Sequence, residues 1–192
     1  MRFMKNLCFL LAMVVGLWGF AASASAMTFS ADMYSSDGHN GKIYMDTDKI
    51  RVETKEMISI TRQDKKLVWL LMPEEKMYME QLLNAAAMNQ KHLPANDAVT
   101  DDVEREFILR ETINGYVADK YKITINKQSS HYEWVSSDPG ITMAVKSAAI
   151  DGSWWTEYRN ISLAKPSSSL FEVPADYTKM SMAGMGGFIS RE

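Results

Sequence analysis

From Thr28 onward, apolar residues recur at every second position, a spacing that fits strands with one covered face and not amphipathic helices. Ile43 and Met45 alternate with Lys42, Tyr44 and Asp46; Ile50 and Val52 with Lys49, Arg51 and Glu53; Ile58 and Ile60 with Ser59 and Thr61. The breaks between these runs are turn chemistry: Ser36-Asp37-Gly38, Asp46-Thr47-Asp48 and Gln63-Asp64-Lys65-Lys66. Connections this short join antiparallel neighbours.

The run Leu67-Val68-Trp69-Leu70-Leu71-Met72 is apolar at both phases, which predicts a strand covered on both sides. Pro73-Glu74-Glu75-Lys76 turns the chain into Met77-Tyr78-Met79. There the spacing of Met79, Leu82, Leu83, Ala86 and Ala87 predicts a helix, ending near Lys91 or His92 before the polar loop that contains Pro94. The second half returns to strands. Asn114-Gly115 is the strongest hairpin signal in the chain, because both residues tolerate positive φ, and it separates strands predicted over 104–113 and 116–125. Tyr121, Ile123 and Ile125 mark the core face of the second arm. Strands over 131–136, 141–149 and 154–162 complete a meander, and Leu170-Phe171-Val173-Pro174 reads as a docking segment. The expected fold is mainly β, of α+β type. It is a strongly curved antiparallel sheet or half-barrel of about ten strands with one or two helices against its concave face, a full barrel being the alternative.

The start of the chain is a different object. Arg2 and Lys5 precede an apolar run from Leu7 to Phe20, too short to span a bilayer comfortably, and Ala24 and Ala26 supply a small-residue cleavage site. We read 1–26 as a cleavable signal peptide, 27–179 as a single domain and 180–192 as a flexible tail rich in Met and Gly. The expected location is the periplasm, with a mature form that does not span the membrane. Loss of Arg2 and Lys5 moves the net charge from -3 to -5, which disfavours nucleic acid as a partner. Cys8 lies within the signal, so the mature chain has neither disulfide nor thiolate metal site. Twelve of the 15 methionines remain, and their flexible thioethers suit apolar surfaces that adapt to variable shapes.

Several runs carry a resemblance when taken together: Gly41-Lys42-Ile43-Tyr44-Met45 with Lys49-Ile50-Arg51; Asp64-Lys65-Lys66 through Pro73 with Lys76-Met77-Tyr78; and Asn114-Gly115-Tyr116 with Asp119-Lys120-Tyr121. Tyr158-Arg159-Asn160-Ile161 and Leu170-Phe171-Glu172-Val173-Pro174 close the pattern. The chain resembles the exported bacterial family called domain of unknown function forty-four twelve, itself similar to the outer-membrane lipoprotein carrier (LolA-like) superfamily. The resemblance implies a curved antiparallel half-barrel closed by helices, with an apolar hollow able to hold an acyl chain. It brings no established activity, and fold alone does not fix function.

The candidate ligand-binding residues are Tyr44, Met45, Arg51, Trp69, Met72, Tyr78, Leu82, Leu83, Trp134 and Trp154, the aromatic, methionine and helix positions that could line such a hollow. Trp155 belongs to the same aromatic set, and ordinary core is the competing reading of all of them. Arg51 and Arg62 read by default as surface charges; pointing inward, either could hold a carboxylate or phosphate head group. His39, His92 and His131 fall at turns or strand edges, without a G-x-S-x-G or H-E-x-x-H pattern, so no catalytic residue, metal or cofactor is assigned. Met180, Met182 and Met185 invite a copper reading, but no His or Cys lies near them in sequence. Asn160-Ile161-Ser162 matches a glycosylation acceptor set in a strand.

The sequence therefore predicts a non-enzymatic periplasmic protein that binds a lipid or a lipoprotein acyl chain. The alternatives are an envelope protein-interaction module with a filled core and, third, a hydrolase. Protein recovered from the periplasm should begin at or near Met27 by N-terminal sequencing; an intact Met1 would contradict the signal assignment.

Overall fold

The computed structural model describes residues 27–83, 103–138, 140–141 and 143–180. The signal segment, the predicted helix beyond Leu83 and all of the tail after Met180 lie outside the described residues.

Among the described residues, twelve strands form one sheet. They are β1 (Thr28–Ser35), β2 (Gly41–Asp46), β3 (Lys49–Thr54), β4 (Ile58–Arg62), β5 (Leu67–Met72), β6 (Met77–Leu82), β7 (Val103–Ile113), β8 (Tyr116–Ile125), β9 (Ser129–Ser136), β10 (Ala144–Ala149), β11 (Trp155–Ser162) and β12 (Thr178–Lys179). Their order across the sheet is β12-β6-β5-β4-β3-β2-β1-β11-β10-β9-β8-β7, so among the described residues the sheet is open, with β12 and β7 at its edges. Short polar turns make β1 to β6 one meander and β7 to β11 another. The two join where β1 pairs with β11, Met33 opposite Tyr158 and Ser35 opposite Thr156. Only β12 runs parallel to its neighbour, β6.

Local chemistry accounts for the turns. Asn114 and Gly115 adopt φ of 51° and 89° at the β7–β8 hairpin, the backbone that a two-residue hairpin of this type requires. A Cβ at Gly41 would sit 1.8 Å from the Glu53 carbonyl oxygen, so the β2–β3 pair closes only around glycine. The sheet also bends. β8 and β11 lie three strand spacings apart, about 14 Å in a flat sheet, further than a tyrosine side chain reaches. Yet the Ile161 N–H donates to the Tyr116 hydroxyl at 2.9 Å, so this end of the sheet curls over. Bulges in β1–β11, β9–β10 and β7–β8 supply local bending.

The expected helix is corrected at its start. Met79 and Leu82 belong to β6, whose six residues pair in register with β5 from Leu67↔Leu82 to Met72↔Met77, and the Leu83 N–H continues the ladder to Lys66 O. The 73–76 turn, with Lys76 at φ 54°, closes a hairpin, and a complete ladder for β5 outweighs a helical spacing of apolar residues. Among the described residues the only helical element is a 3-10 turn at Ser168–Phe171, so helices on the sheet are not supported there. The two strands beyond the expected ten are β6 and β12. No helix among the described residues is long and apolar enough to cross a membrane.

The predicted docking segment does dock. Phe171 is wholly buried in a cluster with Ile60, Trp69 and Leu71, and Leu170, Val173 and Tyr177 pack around it. This strap also corrects the default reading of two arginines. Arg51 and Arg62 are 8% and 5% exposed, and each donates to a strap carbonyl: Arg51 to Leu170 O at 2.8 Å, Arg62 to Phe171 O at 3.0 Å. Burying a charge demands partners. Arg51 has Glu53 at 2.5 Å, while Arg62 has Asp64 at 2.6 and 2.8 Å and also Glu172. The Arg62 hydrogen bonds hold the Asp64 carboxyl below its usual range, against a smaller opposing effect of burial.

Phe171→Ala should therefore cost about 3 to 5 kcal/mol in denaturant melts, the range for deleting a fully buried aromatic ring. A loss under about 1 kcal/mol would show that the strap does not pack.

Candidate functional site

Strand alternation gives the two faces different chemistry. One face collects Phe29, Ala31 and Met33 of β1, Ile43 and Met45 of β2, Ile50 and Val52 of β3, Val68 and Leu70 of β5 and Tyr158 of β11 into a single buried cluster. Met57 and Met143 join it from connecting loops, and Met27, Met79 and Leu83 pack against it. We call this the methionine face.

Tyr158 is one of the polar groups in that surface; the same phase places buried Ser59 between Val52 and Leu70, and buried Thr61 between Ile50 and Val68. The place of Tyr158 opposite Met33 turns it inward, and it is 7% exposed. Its hydroxyl has no hydrogen-bond partner among the described residues, and burial alone pushes its pKa up. A buried tyrosine usually finds a partner for its hydroxyl. An apolar surface that carries a tyrosine hydroxyl can take up a hydrocarbon and offer a hydrogen bond to its polar end. Sequence reading passed over Tyr158; the available signal was its inward phase within the Tyr158-Arg159-Asn160-Ile161 run.

The ten candidate residues divide among several places. Met45 and Leu83 lie at the methionine face, and Met72 shares the phase of Leu70 at the end of β5. Tyr44, Trp69 and Tyr78 are together on the opposite face, in the cluster under the strap, with Arg51 bound to the strap's Leu170. Trp69 donates its indole N–H to Glu80 at 2.9 Å. Trp134 lies in a third cluster with Ala118 and Val145, donating to Glu111, with the Lys120 and Lys146 ammonium groups 4.7 and 5.3 Å from its ring centre. Trp154 is exposed in the turn before β11, its ring centre 6.2 Å from that of His131, and Leu82 is 81% exposed at the end of β6.

One cluster brings hydroxyl, carboxylate and imidazole together. In the turn after β1, the Ser35 hydroxyl donates to Asp37 and the His39 imidazole lies 3.1 Å from the same carboxylate. Burial opposes ionisation of Asp37, but hydrogen bonds from Ser35 and His39 outweigh it and keep its pKa low. The carboxylate, not the imidazole, stands in the middle, whereas nucleophilic catalysis needs the base against the hydroxyl. The arrangement braces a turn. Among the described residues, no group of three or more His, Cys, Asp or Glu side chains is placed to hold a metal ion.

Two solved structures with TM-scores above 0.5 share this architecture. An uncharacterised conserved protein from Thermus thermophilus matches over 81% of this chain and 91% of its own, at 9% identity and a TM-score of 0.58. MucB matches over 80% of this chain and 60% of its own, at 12% identity and a TM-score of 0.51, so the chain spans under two thirds of that protein. A LolA superfamily protein from Nitrosomonas europaea matches over 81% and 92%, at 12% identity and a TM-score of 0.30. Identities this low speak to the fold alone. No curated protein sequence matches the chain. The family model described as Domain of unknown function (DUF4412) covers residues 23–148, well over half of the sequence, and the chain belongs to that family.

Proposed function

We propose that this is a non-catalytic binding protein of the bacterial periplasm that shelters a lipid or an acyl-bearing envelope component against the methionine face of its sheet. The observation that carries this reading is Tyr158, 7% exposed within the methionine-rich cluster, whose hydroxyl makes no hydrogen bond to a described residue. Hydrocarbon burial supplies the affinity, since each buried CH₂ contributes about 0.8 kcal/mol. Thioethers let the surface reshape around chains of different length and branching. Tyr158 sets orientation by donating to the carbonyl or carboxyl oxygen of the head group. The strap face does not compete for this ligand, because Phe171 and its neighbours already fill its apolar strip.

Tyr158→Phe separates binding from folding. Removing an oxygen with no protein partner keeps the ring in place and should leave stability within about 1 kcal/mol of wild type. Affinity for a dansyl-labelled fatty acid, read by fluorescence titration of the mature protein, should fall roughly tenfold, the worth of one hydrogen bond. Unchanged affinity in the variant would remove Tyr158 from the site. Absence of fatty-acid binding by the folded wild type would remove the ligand reading itself.

A further inference from the structure

The two edges of the sheet are unequal. β12, at one edge, has two residues and belongs to the segment that follows the strap, while β7, at the other, has eleven and is the longest strand. Among the described residues no strand pairs with the outer side of β7. Phe107, Ile108 and Leu109, at its centre, are 56%, 40% and 40% exposed. A long edge that is unpaired among the described residues and has apolar side chains at its middle is a template for another strand.

The charges on β7 decide which strand fits. The bulge at Ile108 inverts the phase of the strand, since Phe107 pairs with Tyr121 and Leu109 with the next residue back, Lys120. Arg105 and Arg110 therefore fall on the same side despite their odd spacing. Arg105 stacks over Tyr121 at 4.0 Å and Arg110 pairs with Asp119 at 2.6 Å, both on the methionine face. Glu106 and Glu111 fall on the other side, opposite Lys122 and Ala118, and Glu111 accepts from Trp134 there. Two copies joined antiparallel, edge to edge, keep each face continuous, so they would set arginines among arginines and glutamates among glutamates. Like charges across a ladder are destabilising. The edge is built against its own copy.

We propose that the outer edge of β7 is a strand-addition site for an extended segment of a different polypeptide, one with an apolar centre, carboxylates on the methionine-face side and basic residues on the opposite side. Backbone hydrogen bonds to β7 would hold the segment and the sorted charges would select it. This site is separate from the proposed acyl ligand and does not depend on it.

Two peptides of identical composition test it. Val-Thr-Lys-Asp-Ile-Val-Lys-Asp, laid antiparallel from Ile113 to Arg105 and skipping the bulged Ile108, sets Lys against Glu111 and Glu106 and Asp against Arg110 and Arg105. Val-Thr-Asp-Lys-Ile-Val-Asp-Lys reverses every pair. The first should bind the mature protein at least roughly tenfold more tightly by calorimetry, with backbone amide shifts concentrated in β7. Glu106→Lys, checked for folding by circular dichroism, should narrow that preference; if it fails to fold, the wild-type comparison alone decides. Equal binding, no binding, or shifts away from β7 would overturn the proposal. So would dimerisation of the wild type through β7 in sedimentation experiments.

Discussion

The antiparallel ladder between β1 and β11 is the constraint on which the rest of the structure depends. Each meander forms from local turns, but only β1, placed between β2 and β11, makes them one sheet. Its register sets which side chains share a face: Met33 stands opposite Tyr158, and a slip of one residue would send Tyr158 to the far side. The ladder also absorbs an irregularity. Its register shifts between Ser30 and Asp32, where Asn160 adopts φ 52° and donates to Asp32 at 2.7 Å. The sequon asparagine thus serves a bulge.

Long-range pairing also explains what the sequence disclosed and what it hid. Strands β1 to β5 and the β7–β8 hairpin were legible because alternation and turn residues act within a few positions of each other. β6 was not, since Met79, Leu82 and Leu83 satisfy a helical spacing and only the need of β5 for a partner selects the extended form. The arginines hid for a similar reason. Nothing local to Arg51 or Arg62 shows that carbonyls 119 and 109 residues away will cover them. Of the large aromatics, Trp69 and Tyr78 serve the strap cluster, while a tyrosine on β11 brings a hydroxyl to the methionine face. Its significance comes from the lack of a partner among the described residues, which only the three-dimensional arrangement reveals.

The two faces divide the work by chemistry. Beneath the strap, buried guanidinium groups, carboxylates and main-chain carbonyls satisfy one another, an arrangement with directional requirements that tolerates little rearrangement. The apolar cluster of the methionine face relies on shape and dispersion, which adapt readily. Rigid closure on one side and an adaptable apolar surface on the other is what a carrier of variable hydrocarbon requires. The β7 edge adds a third chemistry, arginines on one face and glutamates on the other along a strand whose outer side is unpaired among the described residues.

The central claim is that the methionine face carries a hydrocarbon ligand in the cell envelope. The most direct measurement is mass spectrometry of organic extracts from the protein purified out of a native envelope without detergent. The account predicts an acyl lipid in an amount approaching one per protein molecule and depleted in a charged variant such as Met79→Asp that remains folded. Folded wild-type protein recovered free of acyl lipid, and failing to take one up from vesicles, would contradict it.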